Sequence, residues 1–285
     1  MKKTSLATLL LIASLKAFCS IVDHDVMSRA YLGNNMNVWN TELKKYTAST
    51  NLTTTDKLEI SNYLYGYVAT LLIDADKNKQ EITDWIDLWE QYLNDIEKAT
   101  GKNAYVYAYR SAINVYKSKV KAGGMMVWGP RSLAELKRAL ATDPNNPLAH
   151  GLKGNMLFYM PSFVGGDKAE AIKWFEKALT GISNTTDKTF RWNRCATTLC
   201  LAQAYEKTGN KQKAIDICIT FLKLEHNYTY MRDTYLPSLK LQHNSPQSRD
   251  TARRVRQHKK IFTNSIARTH KSRDAIYCVS QEQKK

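Results

Sequence analysis

Apolar residues along this chain recur at spacings of three and four, the period of helices with one buried face. Between 23 and 48 the recurring set is Val26, Ala30, Met36, Trp39, Leu43 and Tyr46, which predicts one helix. A polar break, Asn51 to Thr55, follows. Asp56 with Glu59 reads as a capping box opening a helix over 58–76. That stretch is apolar on nearly every side, so it is expected at the centre of the N-terminal part. Asn78 and Glu81 start the next helix, in which Ile82, Trp85, Ile86, Trp89, Leu93 and Ile96 form one wide stripe opposite an acidic face. Gly101 stops it. A Tyr-rich helix runs on from Asn103 with Tyr105, Tyr107, Tyr109, Ile113 and Tyr116. No stretch alternates as a strand should, and no βαβ rhythm occurs. The pattern predicts an all-α protein.

From 121 the punctuation sharpens. Lys121 to Pro130 reads as a long connection, with Gly123-Gly124 and Trp128-Gly129-Pro130, before a helix carrying Ser132, Leu136, Ala139 and Leu140. Asp143-Pro144 closes that helix, because a residue before proline is pushed out of the α region. Asn146 then offers an N-cap oxygen, with Pro147 at the first helical position, where no N–H is needed. This helix is expected to end near Pro161. After Ser162 to Gly166, a capping box at Asp167 and Glu170 starts a helix carrying Ala171, Phe175, Ala178 and Leu179. The same rhythm returns in Ala202, Tyr205, Gly209 and Ala214, and Tyr228 to Leu239 suggests one more short helix that Pro237 ends.

Ala, an aromatic four residues on, and Ala-Leu at seven and eight resemble the second helix of a tetratricopeptide (TPR) hairpin. The small residue of the matching first helix is Gly154, which stands 17 residues before Ala171 where a standard repeat has 12. An insertion of about five residues, containing Pro161, Gly165, Gly166 and Asp167, enlarges this hairpin. It resembles a variant found in exported bacterial TPR proteins, including the TPR component of some TRAP-type transporters. The Ala202–Ala214 spacing is the standard 12, although Cys218 and Phe221 replace the usual aromatic and Ala. The resemblance covers roughly 104–226 and implies a right-handed α-solenoid with additional N-terminal helices. Its structural positions are Gly154, Gly165, Gly166, Asp167, Ala171, Ala178, Ala202, Gly209 and Ala214.

In such arrays the first helix of each hairpin lines a concave face. Carried onto this chain, the resemblance places Tyr109, Tyr116, Asn155, Phe158, Tyr159, Gln203 and Lys207 there as partner-binding candidates, with Leu148 and Gly151 beside them. Tyrosines and amides suit an extended peptide or a protein face. The competing reading makes Tyr109, Tyr116 and Phe158 ordinary core between repeats.

Charge and cysteines change the picture at the two ends. Lys2 and Lys3 precede an apolar run, Leu6 to Leu15, too short to span a bilayer, and Ala17-Phe18-Cys19 supplies small residues for cleavage. A secretory signal over 1–19 is therefore expected, with a lipid-modified Cys19 as the alternative. The chain carries a net charge of +16, and residues 243–285 hold 11 Lys/Arg against 3 Asp/Glu. That tail reads as a solvated or disordered extension, partly helical at most, or as a contact for an acidic surface; nucleic-acid recognition ranks last because no base-reading motif accompanies it. The expected organisation is thus a leader (1–19), an N-terminal helical region (20–101), a repeat region (102–242) and the tail. Five cysteines make no disulfide framework; a Cys200–Cys218 bridge stays open.

No H-E-x-x-H, G-x-S-x-G or phosphate-binding loop occurs, the histidines are scattered, and no metal or cofactor is expected. Gly165-Gly166-Asp167 reads as backbone freedom before a capped helix rather than an anion site. The sequence points to a non-enzymatic binding scaffold of the cell envelope, periplasmic or otherwise exported. The alternative is a solute-handling accessory of a transport system, its ligand near Trp128, Tyr159 and Phe163.

Overall fold

A computed structural model describes residues 20–184 and 188–243. The leader expected over 1–19, with Cys19, and the basic tail beyond His243 lie outside the described residues. Among these residues the protein is all-helical, with eleven α-helices and no strand. They are α1 (His24–Leu32), α2 (Met36–Thr47), α3 (Thr54–Leu71), α4 (Lys79–Thr100), α5 (Ala104–Val120) and α6 (Gly124–Thr142). After these come α7 (Pro147–Tyr159), α8 (Lys168–Ser183), α9 (Arg191–Lys207), α10 (Lys211–Leu224) and α11 (Leu236–His243). Successive helices pair as antiparallel hairpins, most closely α5 with α6 and α7 with α8, and α8 packs on α9. One continuous core runs from Val22 to Leu239, so the boundary expected at 101–102 falls in a tight turn inside it.

Local chemistry explains most element ends. Asn146 Oδ1 accepts the Ala149 N–H at 2.9 Å at the start of α7. Asp167 Oδ1 accepts from Ala169 and Glu170, both at 2.9 Å, at the start of α8. Glu170 does not reach back as the capping box requires; its carboxylate pairs with Lys173 at 2.8 Å. The box expected at Asp56 and Glu59 is one step earlier, between Thr53 and Asp56, and α3 starts at Thr54. The single helix expected over 23–48 breaks at Gly33–Asn35, where Asn34 takes a left-handed φ of 60°.

Two prolines behave differently from expectation. Pro130 lies inside α6, so the connection after α5 is only 121–123. The opening turns of α6 are held down by Trp128, whose Nε1 donates to Ala122 O at 3.1 Å while its ring packs beneath Lys117 and Arg131. Pro237 lies inside a helix that runs on from residue 229 through a π-helical turn at Met231–Tyr235 to His243, so it does not end that helix.

The N-terminal helices fold back across the hairpins that follow. Gly66 in α3 lets two indoles meet over its backbone: a Cβ there would lie 2.4 Å from the Trp39 ring and 3.0 Å from Trp192. Trp39 and Trp192 pack edge to face with centroids 5.4 Å apart. Tyr31 of α1 touches Trp192 and Tyr228, and Thr229 donates to Leu32 O at 3.1 Å. The first helix is thus in direct contact with the segment that leads into the π-helical turn.

Candidate functional site

The binding candidates read from the sequence do not form one open surface. Tyr109, Tyr116 and Phe158 are buried, and Tyr159 is partly buried with its ring 4.7 Å from that of Phe158. The Tyr109 hydroxyl donates to Asn62 Oδ1 at 3.1 Å, and the Tyr116 hydroxyl donates to Tyr65 O at 3.0 Å. Both acceptors belong to α3, which covers the face of α5 that carries these tyrosines. Gln203 is partly buried in α9, and Lys207 is exposed at its end. Asn155, with Leu148 and Gly151 beside it, lines a cleft.

That cleft opens where α7 and α9 part. Leu148, Gly151, Leu152 and Asn155 form one wall and Asn193 and Thr197 the other, with Tyr65 and Phe190 closing the inner end. Its enclosed part is about 20 Å³, room for a water or one polar group, and with the mouth it spans about 330 Å³. None of the lining residues carries a charge.

Polar groups at the inner end are fixed by their neighbours. Asn62 Nδ2 donates to Thr189 O and to Asn193 Oδ1, each at 2.8 Å, tying α3 to α9. Tyr65 is the junction residue, with its ring against Tyr109, Tyr116 and Trp192. Burial pushes its phenol well above the usual range, so it stays neutral. Asn155 Nδ2 approaches the Tyr65 hydroxyl at 3.5 Å, while Asn155 Oδ1 is buried without a hydrogen-bond partner. Exchanging the two ends of that amide would leave the other end unsatisfied.

The positions matched to the repeat pattern lie at helix contacts and turns. Ala171, Ala178, Ala202 and Ala214 are fully buried at helix contacts. A Cβ on Gly154 would lie 2.6 Å from the Phe175 ring. Gly165 and Gly209 take φ of 98° and 88°. Gly166 approaches the Met160 carbonyl so closely that a Cβ would lie 1.8 Å from its oxygen.

Trp128 and Phe163 do not line the cleft, and Phe163 is 87% exposed. The Cys200–Cys218 bridge does not form: Cys195, Cys200 and Cys218 are buried thiols. Among the described residues no cluster of three His, Cys, Asp or Glu could hold a metal ion, and no helix is long and apolar enough to cross a membrane. Tyr65 and Asn62 were invisible as site residues because their neighbours are 44 to 131 positions away; the all-round apolar character of their helix was the one signal of a central place.

No protein-family model matches the chain, and no curated protein does. Among solved structures it is similar to the HusA haemophore from Porphyromonas gingivalis. The match has 18% identity and a TM-score of 0.50, covering 66% of this chain and 95% of that one. At that identity the likeness concerns the fold.

Proposed function

We propose that this chain is an exported, non-enzymatic binding protein that takes a small uncharged solute in the cleft between α7 and α9. The observation that carries the reading is Asn155, a cleft-lining amide with one buried end lacking a partner. A hydroxyl or amide on the solute would meet it, and the apolar flank of the solute would lie against Leu148, Leu152 and Phe190. We further propose that the hairpins from 104 onward are TPR-like repeats stacked as a solenoid. The Gly154–Phe175 contact and the buried alanines support that reading. On it, the concave face that would hold a peptide is occupied by the chain's own α1–α3, and the cleft is the part left open. This favours solute handling over a peptide-binding scaffold.

The structural neighbour is a haemophore, which raises haem as a ligand. The cleft does not suit it: its lining holds no His, Met or Cys to reach the iron and no cation for the propionates. No step is therefore assigned to haem.

Native mass spectrometry of the chain purified from an envelope extract tests the proposal. A neutral small molecule retained by the wild type and lost in Asn155→Leu supports it. Haem retained equally by both proteins contradicts it.

A further inference from the structure

A second surface lies at the end of the molecule away from the 143–146 connection. Because α6 and α7 are antiparallel neighbours, the start of α6 and the end of α7 share that end. The α5–α6 and α7–α8 hairpin tips therefore both lie toward that end. They carry the most exposed large apolar side chains described in the molecule, Met126 at 91% and Phe163 at 87%, with Met125, Val127 and Val164 also exposed.

The sequence around them is uncharged over 122–130 and again over 154–166. Cations frame both stretches: Lys121 and Arg131 on one tip, Lys168 on the other. Arg131 spends its guanidinium on the Trp128 ring, 4.7 Å away, and Lys168 lies over the Phe158 ring, 5.9 Å away. The one acid beside them, Asp167, is engaged in capping α8. The preceding connection, 72–78, exposes Asp74, Asp76 and Lys77 instead of apolar side chains.

We infer that these tips form a docking surface for an anionic lipid bilayer, with Met126 and Phe163 entering the acyl boundary and Lys121, Arg131 and Lys168 meeting headgroup phosphates. Protruding apolar points, a half-exposed Trp behind them and a ring of cations match the layers of a membrane interface. The side chains stand on projecting hairpin ends instead of lining a groove, and the cations lack carboxylate partners. Both features suit a headgroup layer better than a folded protein face.

Co-sedimentation of the full chain with phosphatidylcholine vesicles, with and without phosphatidylglycerol, tests this. The wild type should pellet with the anionic vesicles. The double variant Met126→Ser/Phe163→Ser, which changes only exposed side chains, should bind at least about 10-fold more weakly with an unchanged melting temperature. Lys121→Glu/Arg131→Glu should lose the preference for anionic lipid. A serine variant that pellets like the wild type would overturn the inference, moving attachment to another basic segment. So would an absence of vesicle binding, or a tip-dependent dimer of the chain in solution.

Discussion

The Phe175 ring of α8 packs against Gly154 in α7, close enough that a Cβ on Gly154 would sit 2.6 Å from Cδ1 and Cε1. Phe175 is buried and cannot move aside. Gly154→Leu should therefore overpack the hairpin and cost about 1–3 kcal/mol. Thermal unfolding checks it, and an unchanged melting temperature would count against the hairpin register.

Asn62 is a second point where distant elements depend on one side chain. It accepts from Tyr109 and donates to Thr189 and Asn193, all in the buried interior. Asn62→Ala leaves these groups without that partner and should cost about 2–4 kcal/mol, read from urea unfolding. A loss below about 0.5 kcal/mol would mean that α3 does not hold α5 and α9 together.

The hairpins were legible because their signals are local. Asn146, Pro147, Asp167 and the Ala171–Phe175–Ala178 spacing act within one or two turns, and they sit where the pattern put them. The covering of α5 by α3 was not legible. A repeat pattern describes how neighbours pack, whereas Trp39 meets Trp192 across more than half the chain. The apolar all-round helix 58–76 announced burial but not its partners. Pro130 misled for a different reason: Gly and Pro together read as a loop, yet α6 runs through both, with Trp128 bonded back to Ala122 of the preceding connection.

Glu225 gives a pH dependence. Burial alone would raise its carboxyl, but hydrogen bonds and charge from Arg191 and Arg194, both 2.9 Å away, hold it below its ordinary 4.5. A depressed folded-state value means its contribution is present above pH 4.5 and is lost as pH falls through that lower value. Glu225→Gln should cost about 2 kcal/mol at pH 7, and the gap to wild type should close as the pH drops below the carboxylate range. A gap of the same size in strong acid would contradict the pairing.

The thiols should be inert in the folded protein. Burial, with Glu206 adding to it, pushes the Cys218 thiol up to about 12, and Cys195 and Cys200 are equally enclosed. Peptide mapping after iodoacetamide should find all three unlabelled under native conditions and labelled in denaturant. Labelling of Cys218 in the native protein at pH 8 would contradict its burial.

Gly151 provides the most direct test of the cleft. It stands three residues before Gly154 on the same helix, yet a Cβ there meets only Ala178 and Thr197, both at 3.9 Å. Gly151→Leu should fill the cleft and leave stability unchanged or slightly raised, since glycine is a poor helix former. Calorimetric titration of this variant with the solute retained by the wild type is the measurement to make. Binding should be lost at an unchanged melting temperature. Full affinity in Gly151→Leu would place the site elsewhere and contradict it.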